Sequence, residues 1–230
     1  PNIIEELNTL SIRDEFLENG IITPKNSIFI KEKEIKDLLV SLALNLSEFT
    51  KINRLYLKSN SNKEEYFISD NNNIIELIHS KLSLKNLSEA WIKLLFISSL
   101  EKKIAKTTII FRKENKYKSE ILQSPGPQKS KKILDEYINI FKNCSENCLP
   151  FPPESTFKYL EAKMQNKNEK KAFSDRWIGN KNFSKGERDN IEIQISFGNK
   201  REPEFFFANE EFENLSFRFY LPLLEALKNK

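Results

Sequence analysis

The chain has 230 residues, of which 39% are hydrophobic and 30% charged. This supplies enough apolar surface for a folded core and excludes an intrinsically disordered chain. The 37 basic and 33 acidic side chains give a net charge of +4, which permits an anionic partner but is not the dense charge of a dedicated DNA-binding protein. No apolar run approaches the roughly eighteen residues that a membrane span needs, and no signal peptide opens the chain, so we expect a cytoplasmic protein.

Few residues of this chain are suited to metal or redox chemistry. Cys144 and Cys148 lie four residues apart, a spacing that fits neither a zinc knuckle nor a Cys-x-x-Cys redox pair. We expect two reduced thiols. His79 is the only histidine, which argues against a His-based metal site or a Ser-His-Asp triad. Because no Gly-rich phosphate loop occurs either, we predict neither a metal site nor a cofactor within this chain.

Residues 1–50 have the pattern of a helical lead-in. Apolar residues at steps of three and four predict amphipathic helices over residues 3–19 and 33–49. The short apolar stretch 27–30 is expected to be a turn between them.

Residues 51–122 change to strand-like periodicity and predict a sheet core with one long helix. A three-stranded meander is expected at residues 52–57, 66–68 and 74–78. A long helix follows over 84–103. Two further strands, 107–111 and 117–122, are expected to form a hairpin.

The last part of the chain, 128–230, is predicted to be mainly helical. Helices are expected at residues 131–141, 155–165 and 169–177, with the prolines of 150–153 as a helix stop. The stretch 191–197 alternates in hydrophobicity, which by itself indicates a strand. The whole order predicts a layered α+β fold, and we expect a single domain over 1–230.

The third predicted strand carries a central acid, Glu76. Nucleases of the PD-(D/E)xK class present their site on such a helix and meander, with two acids holding Mg²⁺ and a lysine two residues past the second. Here Ile78 stands at the lysine position. The other candidate acid, Asp70, lies in an Asn-rich stretch where a turn-forming role is expected. An active nuclease that uses Glu76 and Asp70 is therefore the less favoured interpretation.

Two basic clusters are candidates for DNA contact. The first lies on the predicted hairpin, with Phe111 interleaved, and consists of Arg112, Lys113, Lys116, Tyr117 and Lys118. The second begins the next helix and consists of Lys129, Lys131 and Lys132. Basic and aromatic side chains on a protruding hairpin can follow phosphates and stack on unpaired bases. A solvated sheet edge protected by lysines is the other interpretation.

A tetrad near the end of the chain, Gly186, Glu187, Arg188 and Asp189, precedes a phenylalanine-rich segment. Asp189 or Ser184 is suited to cap a helix. The apolar residues that follow recur mostly at three- and four-residue steps, which predicts one helical face: Phe205, Phe206, Phe212, Leu215, Phe219, Leu223 and Leu227. This face is suited to the core or to docking on a partner.

The wider pattern resembles a known family. Its landmarks near the end of the chain are Arg176-Trp177, the tetrad and the segment 217–225. Earlier landmarks occur in the same order at 87–95 around Trp91, then at 107–113, 133–141 and 149–155. Together they resemble the C-terminal region of RecC, the gamma subunit of exodeoxyribonuclease V, over roughly residues 70–228. Trp177 and the tetrad are the family motif in this resemblance.

The resemblance implies a PD-(D/E)xK nuclease-like core, a central mixed sheet flanked by helices, with a helical C-terminal part and with its catalytic residues lost. Glu76 and Asp70 are then vestigial, and residues 191–197 form a helix. It further implies a non-catalytic scaffold and DNA-handling domain that supports duplex splitting and strand guidance in double-strand break repair. RecB, RecD and forked or single-stranded DNA are the implied partners, and ATP and Mg²⁺ are used by the partner subunits.

Two alternatives stay open beside this interpretation. One is an active Mg²⁺-dependent nuclease. The other is a protein-interaction module whose terminal helix docks on a partner without any contact to DNA.

Overall fold

The computed structural model describes residues 27–47, 49, 52–58, 63–69, 72–100, 104–146, 148–180, 184–198 and 201–228. The predicted helix at 3–19 and the candidate acid Asp70 lie outside the described residues. The chain divides into two compact units, one within Pro1–Leu94 and Lys103–Ser124, the other within Leu95–Lys102 and Pro125–Lys230. Helices together with a mixed sheet confirm the predicted α+β class.

The sheet belongs to the first unit. The elements in chain order are α1 (Ser27–Leu46), β1 (Ile52–Lys58), β2 (Lys63–Ser69), β3 (Asn73–Ile78), α2 (Leu84–Leu100), β4 (Lys106–Lys113) and β5 (Lys116–Gln123). The strands are hydrogen-bonded in the order β1-β2-β3-β4-β5, and every pair is antiparallel except β3 with β4, which is parallel. The meander, the long helix and the hairpin predicted from the sequence are thus confirmed.

The parallel pair of β3 and β4 follows from the helix between them. Parallel neighbours need a crossover connection of about a dozen residues or more, usually a helix, and α2 supplies it. The pairing runs from Asn73 with Lys106 to Ile78 with Phe111. Thr107 to Ile110, in the middle of β4, are all buried. Because successive side chains point to opposite faces, both faces of the sheet are covered there.

Helix α1 covers one face of this sheet. Ile75, Ile110 and Tyr117 form a buried cluster on that face, against which four residues from α1 and just after it pack: Leu38, Leu42, Leu46 and Phe49. The turn predicted at 27–30 is wrong, because α1 begins at Ser27. Neither Gly nor Pro occurs from Ser27 to Leu46, so nothing in the local sequence stops the helix from starting there.

The second unit is mainly helical. Its elements after the α2 segment are α3 (Pro127–Glu146), α4 (Pro153–Met164), α5 (Glu169–Ile178), a two-stranded ribbon of β6 (Gly179–Asn180) and β7 (Ser184–Lys185), a 3₁₀ turn (Glu187–Asp189), α6 (Ile191–Phe197), α7 (Glu204–Phe207) and α8 (Glu210–Lys228). The predicted helix stop at 150–153 is only partly right, since Pro153 opens α4, where its missing N–H is no loss. Across the described ranges, no helix is both long and apolar enough to cross a membrane.

Residues 191–197 form helix α6. This is the structure that the family resemblance implied, whereas the alternating hydrophobicity had indicated a strand. Asn190 caps this helix, because its side-chain oxygen accepts a hydrogen bond from the Glu192 backbone N–H at 2.9 Å. Asn190, rather than the predicted Ser184 or Asp189, is therefore the cap residue of α6, and the Asp189 side chain instead accepts from the Gly186 backbone N–H within the 3₁₀ turn. Ile191 and Ile195 are exposed on α6, which explains why hydrophobicity alone misassigned the segment.

The terminal segment predicted as one helical face is two helices. The break falls at Asn209, whose side-chain oxygen accepts from the Glu211 backbone N–H at 2.9 Å and so caps α8. Phe206 and Phe212 are buried on either side of the break, whereas Phe205 is 42% exposed. The prediction of one continuous apolar face is thus wrong at Phe205, while most of its other members face the core.

Candidate functional site

The tetrad closes into a small turn beside helix α4. The Asp189 carboxylate accepts a hydrogen bond from the Gly186 backbone N–H at 3.0 Å. In return the Asp189 backbone N–H donates to the Gly186 carbonyl at 3.1 Å. Fixed from both ends in this way, the turn holds Glu187 inward, where only 6% of the residue is exposed.

Glu187 caps helix α4 from a distant point in the sequence. One carboxylate oxygen accepts from the Glu154 backbone N–H at 2.9 Å, and the other accepts from the Ser155 backbone N–H and hydroxyl, both at 2.6 Å. The first N–H groups of a helix have no partner within the helix, and the residue at the cap position, Pro152, offers no side-chain acceptor. Glu187 therefore takes the place of the missing cap residue.

Burial and hydrogen bonding act in opposite directions on the Glu187 carboxyl group. Removal from water raises its pKa, whereas the hydrogen bonds from Ser155 and the positive charge of Arg176 lower it; burial prevails, so the pKa lies above its ordinary value. Arg176 also binds the Glu154 carboxylate and donates to the Lys185 carbonyl at 3.2 Å. These contacts tie α5, the start of α4 and the tetrad turn together.

Gly186 is required by space rather than by backbone conformation. Its φ of −70° is open to any residue. A Cβ atom at this position, however, would fall far inside van der Waals contact with the carbonyl oxygens of Trp177 and Ile178. The backbone of the turn thus lies directly against the end of α5.

Trp177 anchors the same region from the other side. It is fully buried, its indole N–H donates to the Arg201 carbonyl at 2.7 Å, and its ring meets those of Phe173 and Phe206 at centroid distances of 6.1 and 4.8 Å. Trp177 and the tetrad are therefore packed together in one cluster, here called the tetrad joint. The Arg188 guanidinium lies 3.9 Å from the Glu202 carboxylate, and the Arg188 side chain is only 19% exposed.

Glu76, the candidate nuclease acid, is engaged by a lysine. The ammonium group of Lys93, from helix α2, lies 3.1 and 3.4 Å from the two carboxylate oxygens of Glu76. Both side chains keep partial solvent contact, at 21% exposure for Glu76 and 40% for Lys93. Among the described residues, no group of three or more His, Cys, Asp and Glu side chains is placed to hold a metal ion.

The β4–β5 hairpin sorts its basic residues onto two faces. Residues directly opposite each other in an antiparallel pair share a face, and successive residues alternate. The pairs Lys113 with Lys116 and Phe111 with Lys118 therefore lie on one face, and Arg112 with Tyr117 on the other. All four basic side chains are exposed.

Tyr117 belongs to the core rather than to the surface of the hairpin. It is 8% exposed and packs in the cluster beneath α1. Its hydroxyl lies 3.0 Å from Nδ1 of His79, and its backbone N–H donates to the Ser41 hydroxyl at 2.8 Å. The predicted role of Tyr117 in stacking on a base is therefore not compatible with its burial.

The second basic cluster lies on the first turns of helix α3. Lys129, Lys131 and Lys132 are all exposed, and the Lys129 ammonium is 3.6 Å from the Glu225 carboxylate of α8. Lys131 and Lys132 are thus the members best placed to meet an anionic partner. This cluster belongs to the second unit, and the hairpin belongs to the first.

Cys144 and Cys148 are both free and exposed. The Cys148 thiol donates to the Ser196 carbonyl at 3.1 Å. Partial burial and the neighbouring Cys148 raise the pKa of the Cys144 thiol above its ordinary value, which lowers its thiolate fraction and hence its reactivity.

Sequence reasoning missed two partners of these sites. Lys93 stands 17 residues after Glu76, and only the packing of α2 on the sheet brings the two side chains together. The cap formed by Glu187 spans 32 residues in sequence to Ser155. One signal was present in the sequence: Pro152 at the start of α4 has no polar side chain, so this helix start needed an acceptor from elsewhere.

The sequence pattern of the RecC C-terminal domain family matches residues 31–164. This match covers more than half of the 230 residues, and the chain belongs to that family. Membership implies a role in DNA repair related to the RecBCD complex, with RecB and RecD as the partner subunits. No curated protein matches the chain. The match ends before the tetrad, so the tetrad joins the family only through the resemblance.

Proposed function

We propose that this chain is a non-catalytic, nuclease-like domain of RecC that serves as a scaffold and DNA-handling surface in exodeoxyribonuclease V. In this proposal the domain supports duplex splitting and strand guidance during double-strand break repair. It has no cofactor of its own, and ATP and Mg²⁺ are used by the partner subunits. Family membership is the observation that carries the proposal.

The environment of Glu76 supports the absence of catalysis. A PD-(D/E)xK nuclease needs its acid free to hold Mg²⁺ and a lysine two residues further on. In this chain Ile78 stands at the lysine position, and Lys93 already neutralises the Glu76 carboxylate at 3.1 Å. The order of helix α1, the three-stranded meander and α2 supports the nuclease-like core.

Exposed cations support the handling of DNA. The hairpin presents Arg112, Lys113, Lys116 and Lys118, and helix α3 presents Lys131 and Lys132. Phosphate contacts of this kind position nucleic acid without reading its sequence, which is what a domain that guides arbitrary strands requires.

A DNA titration tests this proposal. Forked and blunt DNA duplexes labelled with fluorescein would be titrated with the chain over a salt series, with and without Mg²⁺, and the products would be run on a denaturing gel. We expect salt-sensitive binding, stronger for the fork, with intact DNA in every lane. Absence of binding at low salt would contradict DNA handling, and Mg²⁺-dependent cleavage would contradict the non-catalytic assignment.

One contact favours the active nuclease as a second candidate. A glutamate with a lysine ammonium 3.1 Å away contains the acid and the cation of that chemistry, although the lysine comes from a helix. If cleavage is seen, Glu76→Gln should abolish it. Glu89→Gln, which changes an exposed acid on the same helix as Lys93, is the matched control and should leave cleavage intact.

The scaffold role is tested through the partner subunits. RecB and RecD would be co-expressed with RecC that contains this domain or lacks it, and the assembly would be measured by size-exclusion chromatography. Loss of the heterotrimer without the domain is the expected result. Normal assembly without it would contradict the scaffold role. Assembly that needs the domain, combined with no DNA binding, would instead favour the interaction module.

A further inference from the structure

We infer that Lys113, Lys116 and Lys118 form one phosphate-binding surface, here called the lysine face, which holds the backbone of nucleic acid by charge and does not stack on its bases. This inference rests on the DNA-handling role proposed above and names the residues and the chemical class of the contact. Arg112, although it is basic and adjacent, is assigned to the opposite face.

The register of the hairpin places the three lysines on one face. Lys113 and Lys116 are directly opposite in the register, which places their Cβ atoms about 5 Å apart. Lys118 lies two residues along the same strand face, at a rise of about 7 Å. Like charges directly opposite each other destabilise a sheet, so an anion that binds between them relieves a repulsion present in the free protein.

The lysine face is available to a large ligand. The pairing of β3 with β4 ends at Phe111, whereas β4 and β5 stay paired as far as Lys113 and Lys116. Past β3 the Arg112 backbone N–H still donates to the Ser80 carbonyl at 3.1 Å, so the part of the hairpin that extends beyond this edge is its tip, Lys113 to Lys116. Within the part of the chain that the structure describes, none of the three lysines forms a salt bridge.

The surrounding side chains favour phosphates over bases. Tyr117 lies on the other face and is buried. Phe111 shares the lysine face but is only partly exposed, at the end of the face nearest the sheet. Stacking on single-stranded nucleic acid needs an open aromatic surface, and neither ring offers one, so the contact is independent of base sequence.

Glu114 gives the inference a second, opposite test. It is the only acid between Phe111 and Ser119, and it occupies the hairpin turn with a φ of 57°. Because Glu114 directly follows Lys113 in the turn, we expect its negative charge to repel phosphate at the lysine face. Neutralising it should strengthen binding, whereas neutralising a lysine should weaken it.

The experiment compares three variants of the full chain by fluorescence anisotropy, with fluorescein-labelled forked DNA of two unrelated sequences and over a salt series. The variants are the triple change Lys113→Gln, Lys116→Gln and Lys118→Gln, the single change Glu114→Gln, and Arg112→Gln as the matched control. Circular dichroism would establish that each variant is folded.

The triple variant should bind both sequences at least about tenfold more weakly, with the slope of log K against log salt less steep by about three. Glu114→Gln should bind more tightly, and Arg112→Gln should lower log K by less than one third of the decrease in the triple variant. An unchanged slope in the triple variant, or a decrease in log K of one third or more of that value from Arg112→Gln, would overturn the lysine face.

The outcomes separate this inference from the proposed function. If the unchanged chain binds DNA and the triple variant binds equally well, only the lysine face is wrong, and the lysines then protect a sheet edge. If the unchanged chain binds no DNA, the proposed DNA handling is wrong as well. A marked preference for one of the two sequences would contradict a contact limited to phosphates.

Discussion

The tetrad joint and the β4–β5 hairpin are both short segments rich in charged residues, yet their charges are used in opposite ways. In the joint, the Glu187 carboxylate is buried and accepts three hydrogen bonds, two of them from backbone N–H groups of α4. In the hairpin, Lys113, Lys116 and Lys118 are exposed, and two of them face each other.

This difference shows what a charged motif can and cannot say about function. A buried charge must be satisfied by the protein itself, because an unpaired one costs several kcal/mol. An exposed charge needs no internal partner and stays available for a ligand. The joint is therefore expected to govern stability, and the hairpin to govern binding.

The largest expected effect is that of Trp177→Ala. Trp177 is fully buried among aromatic rings, and such a truncation costs about 3–5 kcal/mol. Urea unfolding followed by circular dichroism would measure it. Phe205→Ala is the control, since Phe205 is 42% exposed and its loss should cost well under half as much. Equal decreases in the free energy of unfolding for Trp177→Ala and Phe205→Ala would contradict the distinction between the buried joint and the exposed ring beside it.

Gly186→Ala should have the next largest effect and lower the free energy of unfolding by about 3 kcal/mol. The added methyl group overlaps two backbone carbonyls that cannot move aside easily. Gly126→Ala is the matched control. Gly126 has a φ of +87° but no atom within 4 Å of the new methyl group, so only the backbone strain of about 1 kcal/mol remains. The reverse order in a thermal unfolding series would contradict the close approach at Gly186.

Glu187→Gln should cost about 1–3 kcal/mol, because one acceptor oxygen becomes a donor that faces N–H groups. The cost should depend on pH. Burial raises the pKa of Glu187 in the folded state, so its contribution is fully present below its ordinary pKa and is lost as the pH rises through the folded-state value.

The decrease in the free energy of unfolding caused by Glu187→Gln should accordingly be larger near pH 4 than at pH 7, as measured by urea unfolding at each pH. Glu192→Gln, at an exposed position, is the control and should change the free energy of unfolding by about 0.5 kcal/mol or less. A loss that grows toward neutral pH would mean that hydrogen bonding, rather than burial, controls this carboxylate.

The smallest effect on stability is expected from the triple lysine change in the hairpin. Exposed substitutions of this kind alter stability by about 0.5 kcal/mol or less, whereas DNA affinity should fall as described above. If the triple change lowered stability as much as Glu187→Gln in the same urea series, the hairpin lysines would have a structural role like that of the tetrad joint, and the contrast between the two regions would be wrong.

Much of the fold could be predicted from periodicity. The meander and the long helix α2 were found because their apolar residues recur at the periods of strand and helix. Residues 191–197 were ambiguous. Ile191 and Ile195 are apolar but exposed, so the positions of apolar residues do not mark the buried side of this helix. The start of α1 was missed because residues 28–30 are three consecutive apolar residues, a run too short to show the period of a helix.

The candidate sites were predicted less completely, and the reason is distance along the chain. The sequence identified Glu76 but not Lys93, and Glu187 but not the helix start that it caps. It grouped Arg112 and Tyr117 with the hairpin lysines because they are neighbours in sequence. The strand register places these two residues on the opposite face.

The sequence by itself determined the α+β class, the positions of the basic clusters and the family, because composition and local periodicity are properties of the chain. Only the tertiary structure decided which charges are enclosed and which are free. Burial depends on contacts between residues far apart in sequence, such as Glu187 with Ser155 and Tyr117 with Ser41, and no local pattern contains them.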